Sequence, residues 1–165
     1  MTPTIRLATS ADLPAINDIY NYYVLRSTCT YQLEPEPLEA RQEWFAKHPP
    51  EKYPVTVAEM GGDVVAWGSL SKFRDRAAYD GSVEASIYVR HDMHRQGLGR
   101  ALLVDLIERA KQIGFHTLIG GASADQTASL RLQESLGFEH VAHFKEVGYK
   151  FDQWLDVVFL QLMLR

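Results

Sequence analysis

The feature that most constrains this chain lies past its middle. Apolar residues alternate with others in Val83-Glu84-Ala85-Ser86-Ile87-Tyr88-Val89, putting Val83, Ala85, Ile87 and Val89 on one face. Arg95-Gln96-Gly97-Leu98-Gly99-Arg100 comes next, and Leu98, Leu102, Leu106, Ala110 and Ile113 then recur at helical spacing up to Gly114. The period of two predicts a strand, and the longer period predicts a helix ended by its glycine. Between them, glycines let backbone N–H groups approach a ligand just where the helix dipole is positive. Such a junction holds phosphate, and Arg95 and Arg100 add direct charge. Two other glycine loops fail on residue identity. A P-loop needs Gly-Lys-Ser/Thr, but Gly99 is followed by Arg100-Ala101. A dinucleotide fingerprint needs a third glycine where Leu102 stands.

The rest of the chain alternates in the same way. Ile5-Arg6-Leu7 reads as a strand, with Ser10 as the N-cap of a helix carrying Leu13, Ile16, Tyr20, Tyr23 and Val24 on one stripe. A second helix is expected from about Leu38 to Lys47, before Pro49-Pro50. Val55–Ala58 and Val64–Leu70 read as strands joined by Gly61-Gly62-Asp63, a hairpin signal. A strand at Thr117–Ile119, a helix from about Thr127 to Leu136 with Gly137 as its cap, and two closing strands follow, the last at Val157–Leu164. The order βαα-βββ-αβ-αββ predicts a mixed α/β sheet covered by helices.

Composition removes several function classes. At 165 residues, with 46% apolar and 23% charged, one folded domain over 1–165 is expected. The formal charge of −4 offers no broad basic face for nucleic acid. Met1–Arg6 has no apolar run, which argues against a signal peptide, and no stretch has the length of a membrane span. Cys29 is the single cysteine, so no intrachain disulfide forms. A cytoplasmic location is expected. His91-x-x-His94 and His140-x-x-His143 have metal-like spacing, but neither pair has a clear third ligand, and no metal is expected.

Several segments together carry a resemblance: the Val83–Val89 strand, the Gly-x-Gly loop, Ala128-Ser129-Leu130-Arg131-Leu132 and Leu136-Gly137-Phe138. They are similar to the acetyl-CoA-binding core of the GNAT acetyltransferase superfamily. Val147–Phe151, Trp154–Val157, Ile19-Tyr20-Asn21, Ser27-Thr28 and Glu34-Pro35 resemble the phosphinothricin N-acetyltransferase-like branch. The resemblance implies an α/β GNAT fold, a mostly antiparallel sheet of about seven strands flanked by about four helices. It implies direct transfer from acetyl-CoA to the primary amine of a small amino-acid-like substrate, and a homodimer.

Residue by residue, the resemblance puts the pantetheine arm beside the backbone of Ile87, Tyr88 and Val89, and the pyrophosphate on Arg95, Gln96, Gly97, Leu98, Gly99 and Arg100. Gln126 and Ser129 would also touch the cofactor, Gln126 replacing the usual Asn. A backbone N–H of the strand would stabilise the oxyanion. Glu84 matches the glutamate used as base; it would relieve an amine that is mostly protonated near pH 7. Arg74, Arg76 and Tyr79 match the region lining the acceptor site, where an Arg fork clasps a carboxylate; Tyr31 and Lys150 match positions closing over it. Gln133 stands where the family often carries an acid, and a carboxamide cannot donate that proton. His94 replaces the usual Gln or Arg at the first loop position. Two other classes remain open at this point: a non-catalytic acyl-CoA-binding sensor, and an acetyltransferase acting on protein N-termini.

Overall fold

The computed structural model describes residues 1–165. Its elements are β1 (Thr4–Leu7), α1 (Leu13–Val24), α2 (Leu38–Ala46), β2 (Val55–Met60), β3 (Asp63–Lys72) and β4 (Ser82–Val89). They continue with α3 (Leu98–Ile113), β5 (Thr117–Ser123), α4 (Thr127–Ser135), β6 (Glu139–Lys150) and β7 (Gln153–Met163). The seven strands form one sheet in the order β1-β2-β3-β4-β5-β7-β6. Every neighbouring pair is antiparallel except β4 with β5, which run parallel. This is the mixed sheet covered by helices that the sequence pattern predicts, with the mostly antiparallel order and four helices that the resemblance implies.

Period and burial agree on the two layers. Leu13, Ile16 and Ile19 of α1 pack on Val55, Val57 and Trp67, so α1 covers one face of β2 and β3. Leu103, Leu106 and Ala110 of α3 pack on Leu70, Val83 and Leu118 on the opposite face. Leu130 and Leu132 of α4 join that same cluster. Side chains alternate along β4, so Val83, Ala85 and Ile87 lie on the α3 side and Glu84, Ser86 and Tyr88 on the α1 side.

Three local details differ from the sequence expectation. The first cap is Thr9 rather than Ser10: the Asp12 carboxylate accepts the Thr9 N–H at 2.8 Å, and residues 10–12 form a 3-10 turn ahead of α1. Asp12 is also held by Arg6 at 2.7 Å. β5 runs on to Ser123 because β7 pairs with it over its whole length. β7 begins at Gln153, four residues before Val157, because Phe151 and Asp152 turn the chain with φ of 53° and 57°. A two-residue hairpin of this kind normally uses Asn or Gly, as Gly61-Gly62 does with φ of 60° and 85°.

What positions the site is a defect in the ladder. β4 and β5 pair at only three positions, Ser82 with Thr117, Val83 with Leu118 and Glu84 with Ile119. Beyond Glu84, β4 keeps β3 as its neighbour while β5 continues with β7. One edge of the segment 85–89 is therefore left open in the middle of the sheet.

Candidate active site

The open edge has a defined hydrogen-bonding phase. The Arg90 N–H donates to the Val65 carbonyl at 2.9 Å, so Tyr88, two residues earlier, also turns its backbone toward β3. Ile87 and Val89 then point their N–H and C=O groups into the gap. The Tyr23 hydroxyl, from α1, donates to the Val89 carbonyl. The Ile87 pair and the Val89 N–H remain as a strand-pairing surface. The Ile87 and Val89 side chains are half-buried and pack toward the core on the α3 side, leaving their backbone toward the gap.

At the end of that edge the chain enters α3 through a loop with two left-handed residues, Arg95 at φ 63° and Gly97 at φ 77°. Gly97 is the N-cap, and the first intrahelical bond runs from the Ala101 N–H to the Gly97 carbonyl at 3.0 Å. The N–H groups of Leu98, Gly99 and Arg100 precede it and have no intrahelical acceptor. No side chain caps them. Arg95, Gln96, Gly97 and Arg100 are exposed, whereas the Leu98 side chain is in the core and anchors the turn. Arg100 donates to Ser135 Oγ at 3.0 Å, tying α3 to α4. Free N–H groups, a positive helix end and exposed guanidinium groups fit a pyrophosphate. His94 sits beside this loop with its Nε2 2.7 Å from the Tyr23 hydroxyl.

α4 flanks the other side of the gap. Ser129 is exposed near its start, and Gln133 donates to Ser129 Oγ at 3.4 Å. Gln133 Oε1 is buried with no hydrogen-bond partner and lies against Gly120 of β5. Gln126 donates from Nε2 to Thr28 Oγ1 at 2.8 Å, so its carboxamide links α4 to the loop after α1.

On the α1 side, Glu84 sits on β4 immediately before the open segment and is half-buried. Desolvation pushes its carboxyl pKa above the ordinary glutamate value, while the Arg74 charge pulls it partly back. Arg74 and Arg76 are exposed in the β3–β4 connection, and Tyr79 packs edge-on to Phe73 at 5.9 Å between ring centroids. The structure thus brings Arg74 into electrostatic reach of Glu84 and keeps Arg76 and Tyr79 at the rim. Tyr31 reaches the other wall: its hydroxyl donates to Ser123 Oγ at 3.0 Å, and its ring fills the space over Gly148.

Lys150 is buried, and its ammonium donates to the Ser27 and Thr30 carbonyls, each at 2.7 Å. Burial lowers its pKa. It acts directly on the loop after α1 rather than on the open cleft. The two histidine pairs are separate: His91 stacks on Tyr22, while His140 and His143 approach Glu134 at 2.5 Å and Asp156 at 2.8 Å. Cys29 is half-buried, and burial raises its thiol pKa.

The comparisons with known proteins agree with this geometry. Residues 5–159 match the model of the acetyltransferase (GNAT) domain. The chain belongs to the GNAT acetyltransferase family. An L-methionine sulfoximine/L-methionine sulfone acetyltransferase of Pseudomonas aeruginosa is 40% identical over 165 residues, covering 99% of this chain and 96% of that protein. A solved phosphinothricin acetyltransferase from Sinorhizobium meliloti, in complex with acetyl-CoA, is 36% identical with TM-score 0.96, covering 99% and 89%. A solved ribosomal-protein-alanine N-acetyltransferase from Brucella melitensis is 40% identical with TM-score 0.95, covering 98% and 99%. This GNAT chain is accordingly an enzyme, an N-acetyltransferase, and none of these relatives supports a non-catalytic sensor.

Sequence reasoning missed Arg41, Trp44 and Trp67, which join the already named Tyr20 and Tyr88 around one cavity. Tyr20, Arg41, Trp44, Trp67 and Tyr88 line a cavity of about 190 Å³ on the α1 face. Arg41 and Trp44 come from α2, a helix without an apolar stripe that would have marked its inner face.

Proposed function

We propose that this GNAT enzyme takes the acetyl group of acetyl-CoA and transfers it directly to the primary amine of a small amino-acid-like acceptor, of the methionine sulfoximine or phosphinothricin type. The observation that carries this reading is the placement of Glu84. Its half-buried carboxylate stands where β4 parts from β5, at the start of the only open strand edge inside the sheet.

In the proposed mechanism, acetyl-CoA supplies a thioester whose pantetheine arm pairs with the backbone at Ile87 and Val89, in the manner of an added strand. Tyr88 lies between them with its side chain on the acceptor face. The pyrophosphate is held by the N–H groups from Leu98 to Arg100 and by Arg95, with Gln96, Gly97 and Gly99 as the backbone that lets it approach. Ser129 and Gln126 flank the same ligand from α4. Glu84 takes a proton from the ammonium of the acceptor, directly or through water. Its raised pKa makes it the stronger base. The amine nitrogen then bonds to the thioester carbonyl carbon, a strand N–H stabilises the oxyanion, the nitrogen loses its second proton to solvent, and the carbon–sulfur bond breaks. The departing sulfur takes its proton from solvent, because Gln133 has none to give. Arg74 and Arg76 clasp the acceptor carboxylate, with Tyr79 and Tyr31 as walls. Lys150 closes the acceptor side by fixing the Ser27–Thr30 loop.

We also infer one domain over 1–165 that works as a cytoplasmic homodimer. No helix is long and apolar enough to cross a membrane. β6 and its hairpin expose Val141, Phe144, Val147, Tyr149, Phe151 and Trp154 on an edge of the sheet, a surface suited to a second copy.

The test is free-thiol release from acetyl-CoA against methionine sulfoximine, methionine sulfone, phosphinothricin, ordinary amino acids and short peptides, each with wild type and Glu84→Gln. Turnover confined to the small oxo-bearing amino acids, and lost in the variant, is expected. A preference for peptides, or a fully active variant, overturns the reading.

A further inference from the structure

Arg41 is 4% exposed and has no carboxylate partner. Its guanidinium stands 4.7 Å from the ring centroids of Tyr20 and Trp44 and 5.4 Å from that of Trp67. Its one protein hydrogen bond is from Nε to Asn17 Oδ1 at 3.3 Å. A guanidinium has five N–H donors in a fixed fork, so the Nη donors remain. Glu36, in the same cavity wall, is felt only through space; its Oε2 accepts from Gln32 at 2.7 Å. A permanent charge largely withdrawn from water with no carboxylate in contact is costly, and aromatic faces offset only part of that. A second donor is stranded beside it: the Trp67 indole N–H is buried with no partner.

The cavity beneath these donors is placed for the acceptor. Ser86 and Tyr88 line it and share the β4 face with Glu84, and Ser71, which also lines it, is the register partner of Glu84. Two residues along a strand is roughly 7 Å, so a side chain leaving an amine at Glu84 reaches the cavity within a few bonds. Its walls combine Tyr20, Trp44, Trp67 and Tyr88 with the hydroxyls of Ser69 and Ser86. We propose that this cavity is the subsite for the far end of the acceptor, and that Arg41 there binds an oxygen of a methyl-capped oxo group such as a sulfone, sulfoximine or phosphinate. The aromatic walls take the methyl cap. The Arg41 fork takes the oxygens, and the Glu36 carboxylate accepts an N–H where the group has one. Arg74 and Arg76 at the rim remain for the α-carboxylate, so the two ends of the acceptor are read by separate arginines.

This inference rests on the acceptor class proposed above, and its test separates the two. The ratio of kcat/KM for methionine sulfone to that for methionine, which lacks the oxo group, is measured in wild type, Arg41→Lys and Arg41→Gln. Loss of a charge-assisted hydrogen bond is expected to lower the ratio about tenfold or more, through KM. A parallel fall on both acceptors, the signature of a merely structural arginine, overturns the inference. Should wild type acetylate no amino acid, the acceptor class fails, and binding still decides the subsite. Trp44 and Trp67 flank the guanidinium, so their fluorescence is titrated with dimethyl sulfone. A saturable change in wild type that is lost in Arg41→Lys supports the subsite; no change in wild type sinks it. Glu36→Gln covers the case in which the Arg41 variants do not fold. Removing that carboxylate is expected to raise the preference for the anionic phosphinate over the neutral sulfone, and an unchanged preference counts against the subsite.

Discussion

Gly120 of β5 and Gln133 of α4 are in such close contact that a Cβ built on Gly120 stands 1.9 Å from Gln133 Oε1. Gln133 is 7% exposed, so its carboxamide must shift within a packed surround to make room. Gly120→Ala is therefore expected to lower stability by about 1–3 kcal/mol, the usual cost of overpacking. Gly120→Ala with Gln133→Ala recovers part of that loss. Urea unfolding measures both, and a Gly120→Ala protein as stable as wild type would show that the contact is soft.

Glu84 predicts a pH profile. On the proposed mechanism activity needs its carboxylate ionised, so kcat/KM is expected to fall on acidification, with a midpoint above the ordinary glutamate value because burial raises this pKa. Arg74→Gln removes the positive charge that lowers it and moves the midpoint further up. Stability runs the other way. A raised folded pKa means that the contribution is complete below the unfolded value near 4.5 and is lost as pH rises through the folded one. Glu84→Gln is accordingly expected to be more stable than wild type at neutral pH while losing turnover. An acid limb that survives in Glu84→Gln assigns it to another group.

The two loop glycines are expected to respond differently. Gly97 has φ 77°, and a Cβ there meets nothing within 4 Å, so Gly97→Ala costs about 1–2 kcal/mol from backbone conformation alone. It also raises the KM for acetyl-CoA by disturbing the N–H groups of the helix start. At Gly99 a Cβ meets Leu132 at 3.5 Å and Val89 at 3.9 Å, ordinary contacts on a helical residue, so Gly99→Ala keeps most of its stability. Equal losses in the two variants would contradict this distinction.

The β6–β7 hairpin offers a solution test. Tyr149 and Trp154 face each other across the register with ring centroids 5.0 Å apart, and Trp154 is 63% exposed. Trp154→Glu is expected to shift sedimentation from dimer toward monomer at micromolar concentration. A wild type that sediments as a monomer removes the homodimer proposal.

Period and glycine placement made the central unit legible from sequence. The bounds of α3 are legible because Gly97 and Gly114 both adopt positive φ where glycine is least strained, and β4 is legible because it alternates cleanly. Glu84 could be placed on the strand, but its burial could not, since that depends on what α1 and the β3–β4 connection bring over it. Lys150 resembled a residue closing over the acceptor; its bond partners, the carbonyls of Ser27 and Thr30, lie more than a hundred positions away and leave no local trace. The Phe151-Asp152 turn leaves no sequence signal because a phenylalanine seldom adopts the left-handed conformation that Phe151 takes there. Arg41 is the sharpest case. Burying an arginine runs against composition statistics, and only the packing of Tyr20, Trp44 and Trp67 around it makes the position intelligible.

The parting of β4 from β5 has a thermodynamic corollary. A sheet with a vacant edge in its interior is a structure one strand short, and on the proposed mechanism the donor molecule is that strand. Only the folded chain presents the gap, so the donor binds the native state and not the unfolded one. Each tenfold excess over its Kd then adds about 1.4 kcal/mol to the unfolding free energy. The persistence of this protein is in that sense tied to the supply of its own cosubstrate.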